Sequence, residues 1–381
     1  MKKATIKVLS FIICGAILFS GMFGAYAADS AFSQEAYTNL VTFSDCQHIG
    51  SVAYNNFGRI LRVMKNDGMP EPDALLVGGD YSLLLNDYAT LGAIQLREHY
   101  ASVYEDGDKD DIICVQGNHD MKIAAFYPTG MYDMGTYCLY IINEDDYPWR
   151  QGSDPANADI VKSTAAAIEK SLNEMIDSGD RRPVILITHV PLHFTKRSSY
   201  GDDLYSSYIF NVINKAAQTL DIIFLFGHNH SGDYDDYIGG SVNFMAPGDT
   251  VLIPTPDKRG EGCYTEETLN FTYTNCGYIG FDLNHNTGTS VNVITLGAIR
   301  FFSDKLVFLK YSKDGLFRTD TVERKNIASA EDMGKTPTHI TSLTNDEEFW
   351  AKEKSFLEPV ISFIVRLFNL FYSFASSIGL G

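Results

Sequence analysis

The chain has 381 residues, and its 48 Asp and Glu outnumber 30 Lys and Arg, for a net charge of −18. A surface this acidic repels nucleic acid and anionic membranes, which argues against a nuclease acting on long duplexes. Its six cysteines are too few for a dense disulfide framework.

The N-terminus carries Lys2, Lys3 and Lys7, then an apolar stretch from Val8 to Phe23, then Ala25-Tyr26-Ala27. This order of charged region, apolar region and small-residue site predicts a signal peptide over 1–27, cleaved near Ala27, and therefore an exported protein. An uncleaved anchor helix is the alternative, but the apolar core is short for a span. Cleavage would remove three of the 30 basic residues and no acid, taking the net charge from −18 to −21.

Five short apolar runs follow, each ending in residues able to bind a metal. Leu40–Ser44 leads into Asp45-Cys46-Gln47-His48. Ala74–Val77 leads into Gly78-Gly79-Asp80. Ile112–Gln116 leads into Gly117-Asn118-His119-Asp120. Val184–Thr188 leads into His189. Ile222–Phe226 leads into Gly227-His228-Asn229-His230. Runs of this length, rich in Val, Ile, Leu and Phe and bounded by Gly and Asp, predict buried strands. Helical patterns lie between them at Phe57–Lys65, Ala89–Tyr104, Ala156–Ser178 and Leu204–Leu220. After Gly240 short strands are expected at 241–244, 251–253, 269–274, 278–283, 290–293 and 305–311. Strands alternating with helices imply an α/β domain, and open α/β sheets place ligands at the carboxyl ends of strands. Six of the nine histidines lie in or beside the motifs: His48, His119, His189, His193, His228 and His230. His99, His285 and His339 lack such a context and read as structural or surface residues.

The series Asp, Gly-Asp, Gly-Asn-His-Asp, lone His and Gly-His-x-His, each after a strand, resembles the calcineurin-like metallophosphoesterase superfamily over roughly residues 38–300. The resemblance implies an α/β fold of two stacked mixed β-sheets flanked by helices, a four-layer αββα sandwich, over a domain at 28–317. It implies two divalent or trivalent metal ions, with a hydroxide bridging them as the nucleophile toward a phosphate ester. By the same resemblance Asp80 is the bridging carboxylate. Asp45, Gln47 and His230 serve the first metal; Asn118, His189 and His228 serve the second. His119 would contact the phosphate and protonate the leaving oxygen. Asp120, His48 and His193 are candidates for supporting or substrate-contacting roles. The partner implied is a small phosphorylated substrate, compatible with an acidic surface when the metal site is locally cationic.

Imidazole, carboxylate and amide ligands suit Zn, Fe or Mn, with no thiolate among them. In an extended segment Cys46 should face away from Asp45 and Gln47. Two departures matter. The usual first motif is Asp-x-His, whereas here Gln47 offers a neutral carbonyl oxygen. That predicts a weaker first site, more open to Mn or Mg, with His48 able to substitute if the loop bends. Purple acid phosphatases place a Tyr three residues after the bridging Asp; here Leu83 stands there, and Tyr81 is at the wrong offset, so no tyrosinate–iron site is expected.

Cys114 reads as a small buried hydrophobe. Cys263 and Cys276 flank a Thr-rich segment and either pair or stay apart. Residues 318–352 read as a polar linker. Beyond it, 353–381 predicts an amphipathic apolar helix: Ser362, Arg366, Asn369, Ser373 and Ser376 form a narrow polar stripe at helical spacing. Three readings of this helix stand: a membrane-interface helix, a surface for a partner or for self-association through 356–378, or a helix packed back on the domain. The sequence thus points to an exported dinuclear-metal phosphoesterase. The alternatives are a phosphodiesterase of small substrates and a non-catalytic metal-binding surface module.

Overall fold

The computed structural model describes residues 31–46, 52–81, 89–104, 112–120, 127–149, 151, 154, 156–192, 204–228, 244–255, 264–280 and 294–336. Its first sheet holds three parallel strands, β1 (Thr38–Phe43), β2 (Ala74–Val77) and β3 (Ile112–Cys114). Antiparallel strands β13 (Thr295–Phe301), β14 (Lys305–Ser312) and β15 (Gly315–Glu323) extend it, in the order β15-β14-β13-β1-β2-β3, and β12 (Gly277–Tyr278) pairs with β13. The second sheet runs β4-β5-β6-β7-β11-β8. In it β5 (Cys138–Ile142), β6 (Val184–Thr188), β7 (Ile222–Phe226) and β11 (Thr272–Asn275) are parallel. The antiparallel edges are β4 (Gly130–Asp133) and β8 (Phe244–Met245). A separate pair joins β9 (Thr250–Pro254) to β10 (Tyr264–Thr268).

The strand period of two divides each run between two cores. Ile185 and Ile187 of β6 face a core shared with Leu40, Leu76, Ile113, Leu139, Leu225 and Ile299, which lies between the sheets. Val184 and Leu186 face outward onto the core of helices α3 (Ala156–Ser178) and α4 (Ser206–Ala216). On the first sheet, Val41, Phe43 and Leu75 face the helices α1 (Val52–Asn66) and α2 (Ala89–Ala101). The result is helix, sheet, sheet, helix, the four-layer α/β arrangement expected. The parallel strands β2, β3, β6 and β7 are almost continuously apolar because both their faces are covered.

Several expectations need correction. A polar linker starting at 318 falls inside β15, whose residues alternate and pair with β14 through Glu323. Beyond it, buried Arg324 meets buried Asp221 at 3.3 Å, and the short helix α5 (Ala330–Met333) follows. The strand expected from 269 begins at Thr272, because Leu269 still pairs with the segment before β9, exchanging backbone hydrogen bonds with Gly248 and Asp249, and the chain bends at 270–271. Cys276 is a free, fully buried cysteine, while Cys263 lies outside the described residues. So do 1–27, the strand expected at 290–293, the part of the expected linker beyond Thr336, and the C-terminal helix. Among the described residues no helix is long and apolar enough to cross a membrane.

Candidate metal centre

At the carboxyl ends of β1, β2 and β7 the chain turns sharply. Asp45, Asp80 and His228 each adopt left-handed backbone, with φ of 56°, 59° and 66°. Non-glycine residues rarely hold this conformation, and it gathers where a site demands a particular side-chain direction. The loops also approach one another too closely for side chains. A Cβ on Gly117 would stand 2.3 Å from Asp80 Oδ1, and one on Gly227 would stand 2.7 Å from Ser44 Oγ.

These turns bring Asp45, Asp80 and His189 together. All three are fully buried, and their ligand atoms lie within 4.8 Å of one another. His189 follows β6. Its Nδ1 is 2.7 Å from the Gly78 carbonyl and must donate to it, which leaves Nε2 facing the carboxylates. Nε2 stands 3.2 Å from Asp80 Oδ2 and 3.9 Å from Asp45 Oδ1, with no better-placed hydrogen-bond partner among the described residues. The other oxygen of each carboxylate is held by the backbone. Asp80 Oδ1 accepts the His119 N–H at 2.9 Å. Asp45 Oδ2 accepts the His228 N–H at 3.0 Å and lies 2.6 Å from Ser44 Oγ.

The electrostatics call for a cation. Burial alone would lower the His189 pKa, but Asp80, then Asp45, raise it to about 10. Burial opposes ionisation of Asp80, yet His189 and His119 hold its carboxyl well below the usual range. An imidazole nitrogen aimed at two buried carboxylates must be protonated or must share a metal with them. The donor set therefore fits a hard or borderline divalent ion.

Beside this cluster His228 Nδ1 lies 2.9 Å from Asn118 Oδ1, and the His228 ring meets the His189 ring edge-on at 5.2 Å. His119 is exposed at the rim, anchored through its backbone N–H on Asp80. Asp120 works from below: its buried carboxylate accepts the N–H groups of Asp80 at 2.8 Å, Tyr81 at 2.9 Å and Gly117 at 2.8 Å. Burial and the Asp80 charge push its pKa up to about 8, against the Gly117 and Tyr81 N–H donors and the nearby His189. Cys46 turns away into the outer core, the opposite face from Asp45. Tyr81 joins that core, and its hydroxyl donates to the Val77 carbonyl at 3.1 Å.

The structure thus brings together Asp45, Asp80, Asn118, His119, Asp120, His189 and His228. The remaining candidates, Gln47, His48, His193 and His230, lie outside the described residues. Two further side chains meet the site: Trp149, whose ring centroid is 5.3 Å from that of His228, and Ser44, whose hydroxyl lies 2.6 Å from Asp45 Oδ2. No motif marks either one.

The family model for calcineurin-like phosphoesterases matches residues 38–232, and the chain belongs to this family. Membership supports a metal-dependent phosphoesterase, and the family implies divalent metal ions, for which Asp45, Asp80 and His189 form a candidate site. A comparison with curated proteins gives no match. Among solved structures the chain is similar to a dimetal phosphatase from Danio rerio, at 9% identity and a TM-score of 0.44, covering 76% of this chain and 100% of that one. It is also similar to GAP50, the anchor in the inner membrane complex of Plasmodium, at 13% identity and a TM-score of 0.45, covering 84% and 94%.

Proposed function

We propose that this protein is an exported hydrolase of small phosphate esters that uses two metal ions. The observation that carries the reading is the buried convergence of Asp45, Asp80 and His189 on one point at the strand ends. When bound, two metals supply a deprotonated water for attack and neutralise charge on the phosphoryl oxygens.

The chain's own residues take the following parts. Asp80 is central: one oxygen is pinned by the His119 N–H and the other faces His189. Asp45 and His189 complete the buried side, with Asn118 and His228 beside them. Gln47 and His230 complete the ligand set by resemblance. His119, exposed at the rim, meets the phosphate and gives its proton to the leaving oxygen. Asp120 ties the loops that carry Asp80 and Asn118 to each other, so the spacing of the ligands survives substrate entry and exit. Phosphodiester cleavage by the same residues is the second enzymatic reading. A purely metal-binding module would need the ligands but would have no use for a leaving-group acid such as His119.

The test is hydrolysis of p-nitrophenyl phosphate and of its bis ester by the purified protein with Mn, Zn or chelator. The proposal expects metal-dependent release of p-nitrophenol that chelator abolishes. Activity unaffected by chelator, or none with any metal, contradicts it.

A further inference from the structure

The segment from Asn143 to Trp149 leaves the end of β5, beside the strand that delivers His189. It is fastened to both neighbouring site loops. The Asn143 side chain accepts the Gln116 N–H at 3.0 Å and donates to the Tyr127 carbonyl at 2.7 Å. Tyr147, fully buried, donates from its hydroxyl to the Pro191 carbonyl at 3.1 Å. Glu144 accepts the Trp149 N–H at 3.3 Å. A segment this well tied holds its last residue, Trp149, in a fixed place.

That place is against His228. The two rings are 5.3 Å apart between centroids and inclined at 53°. His228 is buried, whereas the indole is only partly so. One part of this large aromatic surface therefore rests on His228, another packs on the outer core of the second sheet, and the remainder stays exposed beside the proposed metal centre. Apolar aromatic area in such a position favours a planar partner, by offset stacking or edge contact.

We infer that Trp149 is the wall of the leaving-group subsite, and that the preferred substrates are phosphate esters whose leaving group is an aromatic ring. The substrate class rests on the phosphoesterase reading; the aromatic preference of the wall does not. Ring contacts of this kind are worth roughly three- to tenfold in affinity.

The experiment measures binding of phenylphosphonate and methylphosphonate, neither of which is hydrolysed, to the full-length Zn-loaded protein by calorimetry. Wild type should prefer the phenyl ligand by about three- to tenfold. Trp149→Ala should bring the ratio near one, Trp149→Phe should keep most of it, and Trp149→Leu guards against a packing defect by retaining apolar bulk. Zn content of each sample should hold. Equal preference in wild type, an unchanged ratio in Trp149→Ala, or loss of Zn with both ligands weakened alike would overturn the inference and leave Trp149 as a support for His228. Turnover separates the two readings. Phenyl-selective binding without hydrolysis of phenyl phosphate or glycerol phosphate would sink the phosphoesterase reading alone. Hydrolysis of both esters with the same KM, unmoved by Trp149→Ala, would sink the aromatic wall alone.

Discussion

The Asp120 carboxylate accepts the backbone N–H of Asp80 at 2.8 Å, and through the same oxygen it accepts that of Gly117. One buried side chain thus links two loops, remote in sequence, that carry the proposed metal ligands. Asp120→Asn presents an NH2 group where an acceptor is needed, so one buried N–H loses its partner. We expect a loss of about 1–3 kcal/mol in stability and weaker metal binding. Chemical denaturation of the metal-free variant checks the first, and a chelator competition titration checks the second. Unchanged stability would mean that the loops hold their places without the clamp.

Gly117→Ala tests the same spacing from the other side. The added methyl would stand 2.3 Å from Asp80 Oδ1 and 2.5 Å from its backbone nitrogen. Overpacking of this kind costs about 1–3 kcal/mol, and here it displaces a ligand. The variant should melt lower and lose metal. Normal metal content would contradict the loop approach described above.

Protons and metals compete for His189. In the metal-free protein its pKa is raised to about 10, chiefly by Asp80 against the effect of burial. The ordinary unfolded value is about 6.5. Protonated His189 therefore stabilises the metal-free fold fully below about pH 6.5, and this contribution is lost as pH rises through about 10. Metal needs the neutral ring, so binding near pH 7 should release about one proton there. Calorimetry in buffers of different ionisation enthalpy counts it. His189→Gln should abolish that proton release; if the count is unchanged, the proton comes from elsewhere.

His119→Ala should leave metal content nearly intact while lowering turnover by about 10²–10⁴-fold. The loss should shrink for good leaving groups, which need less protonation. An equal loss across a leaving-group series would reject the role of proton donor.

Much of this was legible in the sequence because continuous apolar runs announce strands covered on both faces. β2, β6 and β7 have the expected ends. β13 escaped notice, since Thr295-Leu-Gly-Ala-Ile-Arg-Phe carries Gly297 and Arg300 inside it. Gly297 is needed there because a Cβ would stand 2.4 Å from Thr42 Oγ1 of the neighbouring strand. β15 escaped because most of its residues are polar and partly exposed. In the site, the motifs marked Asp45, Asp80, Asn118, His189 and His228. They could not show that three of these sit in left-handed backbone, that Asp120 clamps the loops, or that Trp149 rests on His228. Those facts depend on contacts between distant segments, which leave no local pattern.

Asp80 is proposed as the shared carboxylate of a catalytic metal centre. Metal content and phosphate-ester turnover, measured together on Asp80→Asn and wild type, test it most directly. The variant should lose at least one metal and fall roughly a thousandfold or more in turnover. A variant that keeps both metals and hydrolyses esters at near wild-type rates would contradict it.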